Sequence, residues 1–421
     1  MSLKDQFCSS PWIHMRITNS GGMTYCRWAD KTDYMANLSE TSPQEFFQQH
    51  MAPIRTSMLA GQAPQGCNKC SQMEQHGKVS GRQKQLLKIG VQLGDFEKTL
   101  ASSPWVPVFA ANSQTQMPQD WQIDLGNYCN SACIFCIPEA SSRLAQDHFK
   151  LGLIKQMPPP NWSDDPVQVQ KLIDALRASA HIQYIHFIGG ETVITPAFKA
   201  ILQSLIDAGL HHKVTLGFTT NLSVWRKDIV VLLTQFHNVN LGMSVETLTP
   251  VNNYLRWPVT LPTVMENLQR WQQVAVQHNW LTQLRTTPTL LSISKLLSVY
   301  DYAWNQGIAV ESCNFLQEPE YMQVSVLPMQ HRQPIIDAMQ TWIDQHPADS
   351  ATVLNIRNPN FVQAQIRQDL ESYVNYLKTE PDRSDRLPEL VQYLKKLESL
   401  RGNRVLDYTP EYEELFRTAG Y

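Results

Sequence analysis

From about residue 119 to residue 328, short apolar runs alternate six times with longer segments that carry helix start and stop signals. Short apolar runs bounded by turn residues are typical of buried strands, and the capped segments between them are typical of helices. The fifth apolar run contains Pro288, which cannot donate a hydrogen bond to a neighbouring strand and makes that strand the weakest of the six. The predicted strands are 122–125, 182–188, 214–219, 239–245, 284–291 and 308–316.

Helix boundaries between these strands are marked by cap residues and by proline at the first helical turn. An alternation of strand and helix predicts an α/β fold with a parallel sheet that curves into a barrel. In such barrels the polar residues that carry chemistry lie at the carboxyl ends of the strands. The boundary signals are Asp165-Pro166, Thr195-Pro196 with Gly209, Leu261-Pro262, and Ser294 with Gly307.

The flanking regions have a different character, so we predict four parts: 1–75, 76–118, 119–328 and 329–421. The first part contains a predicted hairpin around Asn19-Ser20-Gly21-Gly22, followed by two short helices and a Cys-x2-Cys segment. The second part is a connector with one helix and an extended stretch over 102–118. The last part is helical and amphipathic, and we expect it to be a cap or a substrate-facing extension.

Composition and charge limit the function classes. The chain has 421 residues, a net charge of -3 and no block of lysine or arginine, which disfavours nucleic acid as a partner. No apolar run approaches the roughly 18 residues that a membrane-spanning helix needs. The first residues lack the apolar segment of a secretory signal, so we expect a cytoplasmic protein without a membrane partner.

The eight cysteines fall into three groups. Cys129, Cys133 and Cys136 have the spacing Cys-x3-Cys-x2-Cys directly after the first barrel strand, and three thiolates can ligate three irons of a four-iron cluster and leave the fourth iron open. Zinc is the alternative for such thiols in intracellular proteins. The second group is a four-cysteine set that could close a zinc site or a 4Fe-4S site, and Cys313 stands alone. The second group consists of Cys8, Cys26, Cys67 and Cys70.

The three-cysteine spacing, with the aromatic Phe135 before its last cysteine, resembles the cluster loop of the radical S-adenosylmethionine (radical SAM) superfamily. The resemblance implies a partial (β/α)6 barrel, a 4Fe-4S cluster and S-adenosylmethionine as cofactor, with Phe135 beside that cofactor. The N-terminal cysteine set, with Phe7-Cys8 and Pro11-Trp12, resembles the auxiliary-cluster module called Twitch, a shortened relative of the SPASM module. That second resemblance implies an auxiliary 4Fe-4S cluster.

The same resemblance implies roles for further residues at strand ends. Gly189-Gly190-Glu191 matches the motif that receives the ammonium group of S-adenosylmethionine. Three further side chains are candidates for its ribose, and Arg256 is the candidate for its carboxylate. Cys313 is either a small buried residue or a thiol that returns a hydrogen atom to a substrate radical. The candidates for the ribose are Asn221, Ser244 and Glu246.

The leading hypothesis from the sequence is therefore a radical SAM enzyme that acts on a peptide or protein, since auxiliary clusters recur in enzymes of that kind. A small metabolite or sugar is the alternative substrate class. The resemblance also implies an electron donor of the flavodoxin or ferredoxin type. The competing class is a non-catalytic protein in which the grouped cysteines bind zinc.

Overall fold

The structure is a computed structural model that describes residues 6–27, 35–62, 64–75, 79–110, 117–312, 315–348 and 359–421. Within these ranges the strands belong to one mainly parallel sheet. They are β1 (His14–Ile17), β2 (Gly22–Thr24), β3 (Ala36–Asn37), β4 (Asp120–Asp124), β5 (Tyr184–Ile188), β6 (Thr215–Thr220), β7 (Asn238–Ser244), β8 (Leu281–Thr286) and β9 (Ala309–Ser312).

Helices fill most of the remaining described residues. None of them is both long and apolar enough to cross a membrane in the ranges given above. They are α1 (Ser10–Ile13), α2 (Pro43–Glu45), α3 (Ala52–Leu59), α4 (Asn68–Gln75), α5 (Gly81–Lys88), α6 (Phe96–Ala101), α7 (Val106–Ala110), α8 (Ser142–Lys150), α9 (Pro166–Ala178), α10 (Pro196–Asp207), α11 (Lys227–Leu233), α12 (Val251–Leu255), α13 (Leu261–Gln277), α14 (Leu297–Gln306), α15 (Met329–Gln345), α16 (Pro359–Thr379), α17 (Leu387–Arg401) and α18 (Glu413–Thr418).

The chain forms two compact units built from interleaved segments. The first unit comprises residues 1–126, 160–217 and 228–239, and the second comprises residues 127–159, 218–227 and 240–421. The first unit contains β3-β2-β1-β4-β5 in that order, and the second contains β8 and β9. β6 and β7 each contribute residues to both units. β3 and β9 each have one neighbouring strand in the described part of the chain. The sheet is therefore open, and the predicted α/β fold with a partial barrel is confirmed.

The six predicted barrel strands correspond to β4 through β9, but the fifth was predicted too far along the chain. β8 ends at Thr286, before Pro288, whereas the sequence predicted a strand over 284–291. The physical reason lies in the backbone amide of Thr287, which donates to the Glu246 carboxylate at 2.7 Å instead of to a neighbouring strand. The polypeptide therefore leaves the sheet one residue before the proline.

The N-terminal hairpin is confirmed, but its position in the sheet was missed. β1 and β2 are antiparallel with Ile17 opposite Met23, and Gly21 has a φ of +83° in the connecting turn. β1 also pairs in parallel with β4, in a register that places His14 opposite Asp120. Parallel pairing joins residues about a hundred positions apart, and no local pattern in the sequence indicates such a partner.

The connector is more structured than predicted. Residues 106–110 form helix α7 where an extended stretch was expected. Phe109 on this helix is buried, and its ring lies 5.3 Å from the ring of Phe7 and 5.2 Å from that of Trp12. Helix α7 is favoured over an extended conformation because it buries the Phe109 ring, and removing aromatic rings from water stabilises the fold.

Asp120 lies at the start of β4 and holds the N-terminal segments against that strand. Its carboxylate is 2.7 Å from the Lys88 ammonium and 3.4 Å from Nδ1 of His14. Burial raises the pKa of Asp120, but His14 and Lys88 lower it well below its ordinary value of 3.8. Burial also lowers the pKa of His14, so the imidazole is neutral at pH 7 and Lys88 supplies the neighbouring positive charge.

Replacing Asp120 with asparagine tests this contact. We expect Asp120→Asn to lower the free energy of unfolding at pH 7 by about 2 kcal/mol, because a buried ionic hydrogen bond is lost. A carboxyl group with a depressed pKa contributes its stabilisation above 3.8 and loses it as the pH falls further. Urea unfolding should therefore give a smaller difference between the two proteins near pH 3 than at pH 7.

Asp207→Asn is the matched control, because Asp207 is exposed and its carboxylate accepts a hydrogen bond from Gln203 one helical turn away. This variant should lie within about 0.5 kcal/mol of the wild type at both pH values. A pH-independent loss in Asp120→Asn would contradict the assignment of a depressed pKa.

Candidate metal and cofactor site

The three clustered cysteines lie on a loop that follows β4. Cys133 is buried and the other two are half-buried. The loop has internal hydrogen bonds, since the amide of Cys136 donates to the carbonyl of Cys133 at 3.0 Å and the Ser131 amide points to Sγ of Cys129 at 3.4 Å. The hydroxyl of Ser141, at the start of α8, donates to the Ser131 carbonyl at 2.7 Å. The sequence after β4 thus folds into a short loop that gathers its thiols locally.

The three thiols are close enough to influence one another. Burial raises the pKa of Cys136, and the neighbouring Cys133 and Cys129 raise it further. The pKa of Cys133 is raised by burial, while the Arg256 guanidinium lowers it, Glu246 raises it and Arg401 lowers it. The neighbouring thiolates raise the pKa of Cys136 beyond the effect of burial because like charges repel one another. A bound metal cation would offset this repulsion and stabilise the thiolate form.

No group of three or more His, Cys, Asp or Glu side chains is positioned to hold a single metal ion in the part of the chain that the structure describes. The fit of the three thiols to an iron-sulfur cluster therefore rests on the chemistry of the donor set and on their mutual electrostatic effects. Thiolates are the ligands that such clusters use.

Asn221 lies beside this loop, at the end of β6. Its side-chain amide is 3.8 Å from Sγ of Cys129 and donates to Oδ1 of Asn130 at 3.0 Å and to Oγ of Ser131 at 3.1 Å. Asn221 was predicted to contact the ribose of a cofactor. The described contacts are with the cysteine loop, where a donor near a sulfur stabilises negative charge.

Glu246 and Arg256 form a buried ion pair in the same unit. Nη1 of Arg256 is 2.8 Å from Oε1 of Glu246, and the amide of Thr287 donates to Oε2 at 2.7 Å. Burial raises the pKa of Glu246, although Arg256 and the Thr287 amide lower it. Burial lowers the pKa of Arg256, but Cys133, Glu246 and Cys129 more than offset that effect and raise it.

Three polar atoms around this ion pair are buried and have no hydrogen-bond partner among the residues that the structure describes. One belongs to Arg256 itself. The second belongs to Asn252, whose Oδ1 accepts a hydrogen bond from the amide of Glu246 at 3.1 Å. The third belongs to Thr286, the residue before Thr287, whose amide binds Glu246. Buried polar groups without partners are rare and indicate a missing ligand or water. These atoms are Nε of Arg256, Nδ2 of Asn252 and Oγ1 of Thr286.

The remaining predicted residues of this unit have less defined surroundings. Ser244 is the last residue of β7 and is half-buried, opposite Arg285 of β8. Phe135 is half-buried on the cysteine loop. Cys313 lies outside the described residues, so both interpretations of it stay predictions.

Gly189, Gly190 and Glu191 lie in the first unit, directly after β5. Gly189 has a φ of +144°, and a Cβ at this position would lie 2.7 Å from the carbonyl oxygen of Gly126. The Gly190 amide donates to that same oxygen at 2.9 Å. The first glycine is therefore required by close backbone packing after β4, and the buried side chain of Glu191 follows it.

The four N-terminal cysteines also interact within the first unit. Burial raises the pKa of Cys8, and Cys26, Cys70 and Cys67 raise it further. Two of these sulfurs have nearby polar groups: the Ser10 amide is 3.5 Å from Sγ of Cys8, and the Tyr25 hydroxyl is 3.9 Å from Sγ of Cys67. Cys26, Cys67 and Cys70 are therefore close enough to Cys8 to influence its pKa, and a shared metal site for the four stays a prediction.

Sequence analysis missed the contributions of the C-terminal helix and of the segment after α12. Arg401 and Tyr393 on α17 donate to backbone carbonyls of the cysteine loop, and Trp257 accepts a hydrogen bond from it. A cavity of about 360 Å³ opens beside Cys129, with Arg143, Trp257 and Leu400 among its lining residues. No sequence signal could have indicated Arg401, Tyr393 or Trp257, because each lies far from the cysteines along the chain.

Comparison with known proteins agrees with this arrangement. Residues 123–283 match the family model described as "Radical SAM superfamily". A curated relative, GTP 3',8-cyclase of Streptomyces coelicolor, is 27% identical over 132 residues, which are 31% of this chain and 34% of that protein. The chain thus spans about a third of the length of the curated relative it matches.

Two solved structures have weaker likeness. Streptococcus suis SuiB bound to S-adenosylmethionine is 16% identical with a TM-score of 0.39, covering 82% of this chain and 72% of SuiB. The protein anSMEcpe with bound AdoMet is 13% identical with a TM-score of 0.39, covering 53% and 60%. The family match begins within β4 and ends within β8, and it includes all three clustered cysteines and Gly189-Gly190-Glu191. The similarity to the radical SAM superfamily is therefore shown for residues 123–283 of this chain.

Proposed function

We propose that this chain is a radical SAM enzyme in which Cys129, Cys133 and Cys136 ligate three irons of a 4Fe-4S cluster. The observation that carries the proposal is the loop of three mutually interacting thiols after β4, inside the segment that matches the family model. When bound, the cluster supplies the electron that cleaves S-adenosylmethionine and so generates a radical able to abstract hydrogen from a substrate.

The side chains near this loop fit the polar groups of S-adenosylmethionine. Arg256 has a buried Nε without an acceptor, and a guanidinium suits a carboxylate. Asn252 offers a second buried donor, and Ser244 and Glu246 stay candidates for the ribose hydroxyls. Both carboxylate oxygens of Glu246 already accept hydrogen bonds, so we assign Glu246 first to holding Arg256 in place.

Glu191 is our candidate for the ammonium group of the cofactor. Glu191 is only 1% exposed, and its carboxylate has the negative charge that matches an ammonium group. Gly190 and Gly189 allow the backbone before it to pass close to Gly126. Phe135 and Asn221 complete the set, with Phe135 beside the cofactor and Asn221 also holding the cysteine loop.

We infer that Cys8, Cys26, Cys67 and Cys70 hold a second, auxiliary 4Fe-4S cluster in a Twitch-like or SPASM-like module. Their mutual effect on the pKa of Cys8 supports a shared metal site. An auxiliary cluster favours a peptide or protein substrate, by analogy with the families that carry one. A flavodoxin or ferredoxin would supply the electron, and the cytoplasm would keep the thiols reduced.

A small metabolite is the second candidate substrate. The observation that favours it is the curated relative named GTP 3',8-cyclase, to which a third of the chain is similar. A zinc-binding protein without catalysis is the competing class. It predicts a colourless protein that carries zinc after anaerobic purification.

Serine substitutions in the two cysteine sets should have different effects on iron content and on 5′-deoxyadenosine formation. After anaerobic reconstitution the wild type should hold about eight irons per chain and form 5′-deoxyadenosine on reduction with S-adenosylmethionine. Serine at Cys129, Cys133 or Cys136 should abolish 5′-deoxyadenosine formation and remove about four irons. Iron analysis and chromatography of the nucleoside products measure both quantities.

Cys26→Ser is the matched variant in the other set. It should also lose about four irons, but it should still cleave S-adenosylmethionine, because the auxiliary cluster is separate from the cleavage site. If Cys129→Ser retained 5′-deoxyadenosine formation, the assignment of the catalytic loop would be wrong. Stoichiometric zinc in place of iron in the wild type would favour the competing class.

Removing the charge of Glu191 tests its role in cofactor binding. We expect Glu191→Gln to weaken binding of S-adenosylmethionine roughly 10- to 100-fold, since a hydrogen bond to a charged group contributes about 1.5–3 kcal/mol. Isothermal titration of the reconstituted protein measures this affinity without relying on turnover. The iron content should be unchanged.

Glu266→Gln is the control for this measurement. The Glu266 side chain is 60% exposed and pairs with Arg270 one turn along α13. Its affinity for S-adenosylmethionine should match that of the wild type. Equal affinities for Glu191→Gln and the wild type would exclude Glu191 as the ammonium ligand.

A further inference from the structure

The residues on either side of Cys133 are fixed by hydrogen bonds from outside the cysteine loop. The amide of Ala132 donates to the carbonyl of Trp257 at 2.7 Å, and the amide of Ile134 donates to the carbonyl of Leu255 at 3.0 Å. These bonds use both amides that flank Cys133. The orientation of Cys133 therefore depends on the segment that ends α12 and follows it.

The two flanking carbonyls are bound by α17, the C-terminal helix that ends at Arg401. Nη2 of Arg401 donates to the Ala132 carbonyl at 2.9 Å, and the Tyr393 hydroxyl donates to the Ile134 carbonyl at 3.0 Å. The amides and carbonyls of Ala132 and Ile134 therefore all form hydrogen bonds with segments that are distant along the chain. Because the residues before and after Cys133 are both held in place, the Cys133 side chain has little freedom to move.

Arg401 also brings a buried positive charge to the loop. Its side chain is 2% exposed, and Nη2 lies 2.9 Å from the carboxylate of Asp147 on α8, whose side chain is 9% exposed. The guanidinium lies 4.9 Å from the ring centroid of Trp257, and that of Arg143 lies 4.7 Å from the same ring. Removing the Arg401 charge would leave the Asp147 carboxylate buried near the cysteines without its partner.

We propose that α17 is a positioning element for the cysteine loop and that Arg401 and Tyr393 fix Cys133 through its neighbouring carbonyls, with the Arg401 charge favouring the reduced form of a bound cluster. This inference rests on the proposed function for its redox part. It assigns a role to the C-terminal region, which the sequence indicated only as a cap or extension. Arg401 and Tyr393 are positioning residues, because they touch the loop backbone rather than a reacting atom.

The test compares Arg401→Gln and Arg401→Lys with a matched control, Arg332→Gln. Arg332 is also a fully buried arginine on a helix near the C-terminus, and it donates to the carbonyls of Glu380 at 2.7 Å and Pro381 at 3.1 Å. Its described contacts do not include the cysteine loop. Arg332→Gln therefore controls for the general loss of stability that follows from removing a buried guanidinium.

Two readouts separate positioning from general stability. Hydrogen exchange of the peptide that contains Ala132 and Ile134 should become roughly tenfold faster in Arg401→Gln and should stay at the wild-type rate in Arg332→Gln. A spectroscopic redox titration should shift the midpoint potential of the cluster to a more negative value in Arg401→Gln. Arg401→Lys keeps the charge and should restore most of the potential but less of the protection from exchange.

Tyr393→Phe keeps the Arg401 charge and removes the hydroxyl that donates to the Ile134 carbonyl and lies 3.1 Å from Nε2 of His148, so it should accelerate exchange without the shift in potential. It also provides the test if Arg401→Gln does not fold. Equal exchange and equal potential in Arg401→Gln and Arg332→Gln, or wild-type exchange in Tyr393→Phe, would overturn the proposal. If the wild type bound no cluster at the three cysteines, the proposed function would fail, whereas the exchange comparison would still decide the positioning role.

Discussion

The loop that carries Cys129, Cys133 and Cys136 depends on hydrogen bonds supplied by other parts of the second unit. Hydrogen bonds within the loop bring the thiols together. The amides on either side of Cys133 donate to the segment at the end of α12, and the carbonyls there accept from α17. A ligand loop must resist both the repulsion among deprotonated thiolates and the exposure of its own amides to water. Satisfying those amides and carbonyls from rigid helices achieves both, because helices offer fixed donors and acceptors.

Charge is distributed around this loop in pairs. Arg256 with Glu246 and Arg401 with Asp147 are both buried ion pairs, and each places an arginine where it lowers the pKa of Cys133. A buried ion pair adds little net stability compared with an apolar pair of similar volume. Two such pairs beside one set of thiols fit the negative charge that those thiols would carry as ligands of the proposed cluster. In the proposed complex, the buried Nε of Arg256 would donate to the carboxylate of S-adenosylmethionine.

The N-terminal cysteines illustrate how local spacing and long-range pairing combine. The hairpin turn at Gly21 and the Cys-x2-Cys segment could be predicted from the sequence, because both depend on residues within a few positions. The parallel pairing of β1 with β4 could not be predicted, because it joins residues about a hundred positions apart, such as His14 and Asp120. Helix α7 was missed for the same reason, since the burial of Phe109 against Phe7 decides its conformation.

The sequence alone determined the α/β repeat, the grouping of the cysteines and the motif Gly189-Gly190-Glu191, because periodicity, cap residues and ligand spacing are local properties of a chain. It could not determine where β8 ends, since the Glu246 carboxylate captures the Thr287 amide. Nor could it identify Arg401 beside Ala132 or Tyr393 beside Ile134. Those contacts join residues distant along the chain, and only tertiary folding decides which buried donors and acceptors meet.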